Sequence, residues 1–287
     1  MDNDGPSRTA LITAYARAYH QIADRPLIFA DPVAARLLGV TAAELTELGT
    51  PTTDYLDLAV RDRSRRLFFA ARARFAEDAV AAAIAAGVRQ VVILGAGLDT
   101  FAYRNPLPEL RVFEVDHPAT QAWKRERLAA AGIGRPETLT FVPVDFETQA
   151  LAAGLESGGF KRTDPAVFVW LGVVFYLTPS AAHTTLEYIA GQAQRVEVVF
   201  DYLQPADSDE GRAHQQARAE RLAAAGEPVC SYFTPVDIAA QLRAFGFTDL
   251  EDHSGPDLIT GYLDGSTSFA SELPRAVRAN RILRASR

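Results

Sequence analysis

The 287-residue chain reads as an α/β protein: a doubly wound, mostly parallel sheet with an N-terminal helical cap and a late polar insertion. Three observations predict this. Apolar runs without alternation, such as residues 91–94, mark strands buried on both faces. Segments of helical periodicity lie between them, opened by Pro or a hydroxyl residue and closed by Gly. Strand and helix patterns alternate regularly from residue 88 to 202.

The elements follow in order. Residues 8–23 carry helical periodicity, and Asp31-Pro32 reads as a cap and first helical position for 32–39. Leu56, Val60, Leu67, Phe68, Phe75, Val80 and Ile84 recur at helical spacing, predicting one long helix over 55–86 that ends at Gly87. Residues 1–87 are therefore a helical cap leading into the core. The core, 88–202, carries predicted strands at 89–97, 110–116, 139–146, 165–177 and 195–203, with helices at 118–132 and 178–192. Residues 203–233 break the rhythm. They are polar, helical in part and follow a strand's C-terminal end, where ligands of open α/β sheets bind, so they read as a lid or a plain surface helix. Residues 234–287 complete the core with a helix from Thr234, a strand within 249–259 and a basic helical tail from Pro274.

Composition narrows the partners. A net charge of -7 argues against nucleic acid and anionic membrane. The single cysteine, Cys230, excludes an intrachain disulfide and a Cys-rich metal site, and no metal is expected. No segment resembles a signal peptide or a membrane span, so a cytoplasmic location is the expectation. Alanine and arginine outweigh lysine, in keeping with a GC-rich bacterial genome.

The chemistry starts at "VVILGAGLDTFAYR". Gly95, Ala96 and Gly97 form a glycine turn after the first strand, but a dinucleotide fingerprint needs a third glycine, and Leu98, Asp99 and Thr100 follow instead. Asp99 stands where a pyrophosphate would meet the helix N-terminus, an arrangement opposed by like-charge repulsion. S-Adenosylmethionine carries no phosphate and tolerates a nearby acid. Glu114 and Asp116 end the second strand, 19 and 21 residues after Gly95, where a carboxylate accepts hydrogen bonds from ribose hydroxyls. Asp145 ends the third strand, suited to the adenine amino group, with Phe146 to cover the ring. Each acid also has a plain reading as a helix cap or solvated strand end. Three at successive strand ends after a glycine turn point to a nucleoside.

"QVVILGAGLDTFAYR", "VFEVDHP" and "VPVDF" resemble the leucine carboxyl methyltransferase family, in particular its bacterial branch of S-adenosylmethionine-dependent methyltransferases. "TALITAYARAYH", "IFADPVAARLL", "RARFAED" and "SYFTPVDIAAQLRAFGF" extend the likeness over nearly the whole chain. The resemblance implies a class I methyltransferase fold with a Rossmann-like core and S-adenosyl-L-methionine as cofactor. It implies Arg72 on the cofactor carboxylate with help from Arg17, Gly95 at the methionine part, Asp116 at the ribose, and Asp145 with Phe146 at the adenine. Two positions depart from the family pattern. Leu171 stands where the fourth-strand motif carries an acid, and Phe101 where an Arg follows GLDT, though Arg104 remains.

The resemblance implies O-methyl transfer to a carboxylate or hydroxyl of a small molecule, as in secondary metabolism. A carboxylate acceptor is already ionised near neutral pH, whereas a hydroxyl needs a base within hydrogen-bond reach. His20, His214 and Tyr176 are the candidates for that role. Leu171 keeps open a repurposed enzyme of another reaction class or a non-catalytic partner subunit. An NAD-dependent oxidoreductase is disfavoured by the missing third glycine.

Overall fold

The structure, a computed structural model, describes residues 7–48, 60–105, 107–145, 149–224, 226–263 and 275–287. Five parallel strands, β1 (Gln90–Leu94), β2 (Arg111–Asp116), β3 (Leu139–Pro143), β4 (Ala166–Trp170) and β5 (Val196–Leu203), form most of one sheet. β6 (Asp249–Ser254) and β7 (Asn280–Ser286) extend it, giving the order β3-β2-β1-β4-β5-β7-β6. β7 lies antiparallel between β5 and β6. The order reverses between β1 and β4, so the crevice for a ligand opens at the C-terminal ends of these strands.

The apolar runs occupy the centre for the expected reason. On β1, Val91 and Ile93 face one layer and Val92 and Leu94 the other, and all four are buried. One layer is led by the long helix α4 (Arg63–Ala85); the opposite layer includes α7 (Leu151–Ser157), α8 (Pro179–Ala190) and α10 (Pro235–Ala244). Helices start where side chains take up their unpaired N–H groups. Asp62 caps α4, Thr178 caps α8 and Thr234 caps α10, each accepting from a first-turn amide. The helix α6 (Pro118–Ala130) starts on His117, whose Nδ1 accepts the Ala119 N–H.

A third cluster joins α1 (Arg8–Ala23), α2 (Ala34–Leu38) and α3 (Ala42–Leu48) to Leu98 of the glycine turn and Leu128 of α6. The Asp31 carboxylate accepts from the Val33 and Ala34 N–H groups, and α2 begins at Ala34, two residues after the Pro32 start that the Asp-Pro pair predicts. Bidentate pairing of Arg66 with Asp24 at 3.0 and 3.1 Å ties α4 to the end of α1. No helix among the described residues is long and apolar enough to cross a membrane.

Element boundaries differ from the sequence reading in several places. The predicted strand over 165–177 ends at Trp170, because the chain turns at Gly172, whose N–H is taken by Asp201, and continues as a 3-10 turn, Val174–Tyr176. The helix predicted over 55–86 spans Arg63–Ala85, and residues 51–59 lie outside the described set. The basic tail from Pro274 is a four-residue helix, Arg275–Arg278, followed by β7. Ile282 and Leu283 are buried in opposite layers there, while Arg281 and Arg284 pair with Asp252 and Glu197 at 3.1 and 2.8 Å. Paired charges let a strand rich in arginine lie inside a sheet.

Candidate active site

The glycine turn follows directly from β1. Gly95 and Gly97 have φ of +62° and +47°, the left-handed region in which a side chain is strained. A Cβ on Gly95 would meet Val173 Cγ2 at 2.3 Å, and one on Gly97 would meet Ala10 Cβ at 3.1 Å. The backbone is thus pinned between the turn after β4 and the N-terminal helix. Ala96 is buried, and its N–H donates to the Val115 carbonyl of β2.

Asp116, at the end of β2, accepts the Gly97 N–H on Oδ2 and the His117 N–H at 2.7 Å on Oδ1. Burial pushes its carboxyl up, opposed by those two amide donors. Each carboxylate oxygen retains a further lone pair for a ligand hydroxyl. Asp99 closes the first turn of the short helix Phe101–Arg104 by accepting the Phe101 N–H at 2.7 Å. The helix N-terminus that would receive a pyrophosphate is therefore occupied by a carboxylate.

Glu114 sits differently. It is fully buried, and its Oε2 accepts from Lys124 Nζ at 2.7 Å. Burial pushes its carboxyl up to about 7, with Lys124 opposing the rise, and Oε1 finds no hydrogen-bond partner among the described residues. The Glu114 carboxylate serves the interior beneath Asp116 rather than the edge of the crevice.

Neither arginine implied by the resemblance stands alone. Arg72 donates to Asp201 at 2.5 Å, lies 4.8 Å from the Phe69 ring centroid and packs against Gly172. Asp201 also accepts the Gly172 N–H, so one buried carboxylate fixes both the guanidinium and the turn after β4. Arg17 donates to the Leu98 carbonyl at 2.7 Å and pairs with Asp31 at 3.0 Å, bracing the glycine turn from the cap. Leu171 lines a small, mostly apolar pocket between α4 and the β1 and β4 strands, with Glu77 and Asp99 at its polar end. Asp145 follows β3, and its N–H donates to Gln149 Oε1 at 3.0 Å. Phe146 lies outside the described residues.

The base candidates separate. His20 is fully buried; its Nε2 accepts the Ile28 N–H at 3.2 Å, so Nδ1 carries the proton and donates to Asp24 at 3.0 Å. It is a structural link within the cap. Burial would raise the Asp24 carboxyl, but hydrogen bonds from His20 and Arg66 outweigh it and hold it at about 2. His214 lies on α9 (Asp209–Ala224) and lines, with Gln204, Asp207, Arg218 and Arg278, a pocket beyond the end of β5. Tyr176 alone reaches the glycine-turn side: its hydroxyl is 2.8 Å from Thr9 Oγ1, next to the Ala10 that packs on Gly97. No group of three or more His, Cys, Asp or Glu residues among those described forms a metal site.

Sequence reading did not pick out Asp201, Lys124, Thr9 or Glu227. An acid within the apolar run of β5 is a usable sign of a paired buried charge, and Asp201 is such an acid. Thr9 and Glu227 carry no comparable signal, since 218 positions separate them.

Comparison with known proteins shows the family and the fold. The model of the leucine carboxyl methyltransferase family matches residues 10–190. The "Putative S-adenosyl-L-methionine-dependent methyltransferase YktD" of Bacillus subtilis is 34% identical over 278 residues, 90% of this chain and 91% of that protein. A Mycobacterium bovis protein of the same designation is 34% identical over 226 residues, 75% of this chain and 72% of its own. Among solved structures, a DUF574 family protein from Streptomyces avermitilis shares the fold at a TM-score of 0.53 and 17% identity, covering 98% of this chain and 97% of that one. The chain belongs to the leucine carboxyl methyltransferase family of S-adenosylmethionine-dependent methyltransferases.

Proposed function

We propose that the protein is an O-methyltransferase that transfers the methyl group of S-adenosylmethionine to a carboxylate or hydroxyl of a small molecule. The observation that carries this reading is the cradle of Gly95, Gly97 and Asp116: two left-handed glycines against Val173 and Ala10, with a carboxylate at the next strand end. The donor set fits a nucleoside with an amino-acid tail. Asp116 offers acceptors to ribose hydroxyls, Asp145 with Phe146 would hold the adenine, and the turn backbone would approach the methionine portion. Arg72 supplies a cation at the end of β4 for the cofactor carboxylate, and Arg17 steadies the turn through Leu98. The sulfonium supplies the reactivity; the protein aligns the acceptor and excludes water. The pocket beyond β5, walled partly by α9, supports residues 203–233 as the acceptor side.

Calorimetric titration tests the reading. S-Adenosylmethionine and S-adenosylhomocysteine are expected to bind at micromolar Kd, and Asp116→Ala to weaken both about 10- to 100-fold by removing charged acceptors. Binding of NADH in their place, or an unchanged Kd in the variant, would sink it.

A further inference from the structure

Three remote segments meet beside the glycine turn through one hydrogen-bonded chain. Thr9 begins α1, Tyr176 closes the turn after β4, and Glu227 follows α9. Glu227 accepts the Thr9 N–H at 3.2 Å on Oε1 and the Thr9 hydroxyl on Oε2. A threonine hydroxyl has a single proton, and here it is committed to Glu227. The 2.8 Å contact between Tyr176 Oη and Thr9 Oγ1 therefore has Tyr176 as donor. Every donor in the chain points the same way, from Tyr176 through Thr9 to the Glu227 carboxylate. The segment after Glu227 is held to the backbone of the same turn: Cys230 N–H donates to the Phe175 carbonyl at 2.8 Å, and the Ser231 hydroxyl to the Val174 carbonyl at 3.1 Å. Ala10 and Val173, neighbours of this chain, are the residues that close on Gly97 and Gly95.

Resting on the methyltransferase reading above, the geometry points to a hydroxyl rather than a carboxylate as the acceptor, with Tyr176, Thr9 and Glu227 as the route for its proton. A phenol that donates its own proton still accepts, so Tyr176 Oη matches an acceptor O–H. A carboxylate acceptor brings no proton to donate and adds a negative charge to a chain ending on Glu227. The acceptor oxygen takes the methyl group from the sulfonium, whose sulfur keeps the bond's electron pair. Its own proton passes to Tyr176 as the Tyr176 proton moves to Thr9 and the Thr9 proton to Glu227, which ends as a neutral carboxyl. Tyr176 touches the acceptor; Thr9 and Glu227 are positioning residues that act through it.

Two probes of similar shape test this, 4-nitrophenol and 4-nitrobenzoate, titrated into protein saturated with S-adenosylhomocysteine at mildly acidic pH, where the phenol keeps its proton. The phenol is expected to bind at least about tenfold more tightly. Glu227→Gln, Tyr176→Phe and Thr9→Val are expected to abolish the preference, and Thr9→Ser to keep it. S-Adenosylhomocysteine affinity should stay within about threefold of wild type in Glu227→Gln, which separates this test from the cofactor reading. Equal or tighter binding of the benzoate, no binding of the phenol, or a preference that survives Glu227→Gln overturns the inference.

Discussion

The two sides of the crevice are built by different means. The glycine-turn side is local: Gly95, Gly97, Asp99 and Asp116 come from adjacent strand ends within 21 residues, and backbone amides make most of its bonds. The wall packed beside it joins Thr9, Tyr176, Asp201 and Glu227, and side chains make the decisive contacts across separations of 129 to 218 positions. The local side is rigid because the sheet fixes it. The remote side exists only when the cap, the turn after β4 and the segment after α9 dock together, which is where an enzyme changes acceptor without rebuilding its cofactor cradle.

The largest expected effect comes from breaking the local side. Gly95→Val adds a Cβ 2.3 Å from Val173 at a left-handed φ. It is expected to lower S-adenosylhomocysteine affinity by more than about 100-fold, by strain and displacement of the turn. Calorimetry on folded variant checks this, and a near-normal Kd would mean the turn is not the cradle.

A somewhat smaller effect is expected one layer below, and it falls on stability rather than binding. Lys124→Met leaves Glu114 buried without its cation and should cost about 3 kcal/mol in urea unfolding. Lys124→Met combined with Glu114→Leu should recover most of that loss, since an apolar pair needs no compensation. If the double variant is no better than the single one, the pair does more than neutralise itself.

The smallest effect separates cap from core by pH. Asp24, held at about 2, binds fewer protons folded than unfolded, so its contribution is present above about pH 4 and lost as pH falls towards 2. Glu114, pushed up to about 7, binds more protons when folded, so its contribution is present below about pH 4 and lost as pH rises towards 7. Thermal unfolding of Asp24→Asn should therefore show a shallower loss at the acid end than wild type. Glu114→Gln should flatten the decline between about pH 4 and 7. Parallel curves for variant and wild type would show that the group does not titrate with folding.

These contrasts mirror what a reader of the sequence can and cannot see. Val91 to Leu94 read as a central strand because an unbroken apolar run has one stable place, between two helical layers. The glycine turn and Asp116 read as a ligand cradle because their spacing is set by one strand, one helix and one strand. Glu114 reads the same way as Asp116 but is not, because strand neighbours and Lys124 decide whether a carboxylate faces a crevice or a core. His20 looks like a free imidazole and is a buried clasp on Asp24 and Ile28. The tail looks helical because its arginines repeat at short intervals, and pairing with β5 and β6, with Glu197 and Asp252 to take its arginines, makes it a strand.

The layered fold, the glycine turn and the acid at the second strand's end are legible in the order of residues, since each depends on interactions between residues close along the chain. Tertiary structure alone decided that Arg72 meets Asp201, that Glu114 turns inward, and that Thr9 bridges Tyr176 and Glu227. Those outcomes depend on which distant side chains share a buried space, and burial makes an unmatched charge or hydroxyl too costly to leave without a partner.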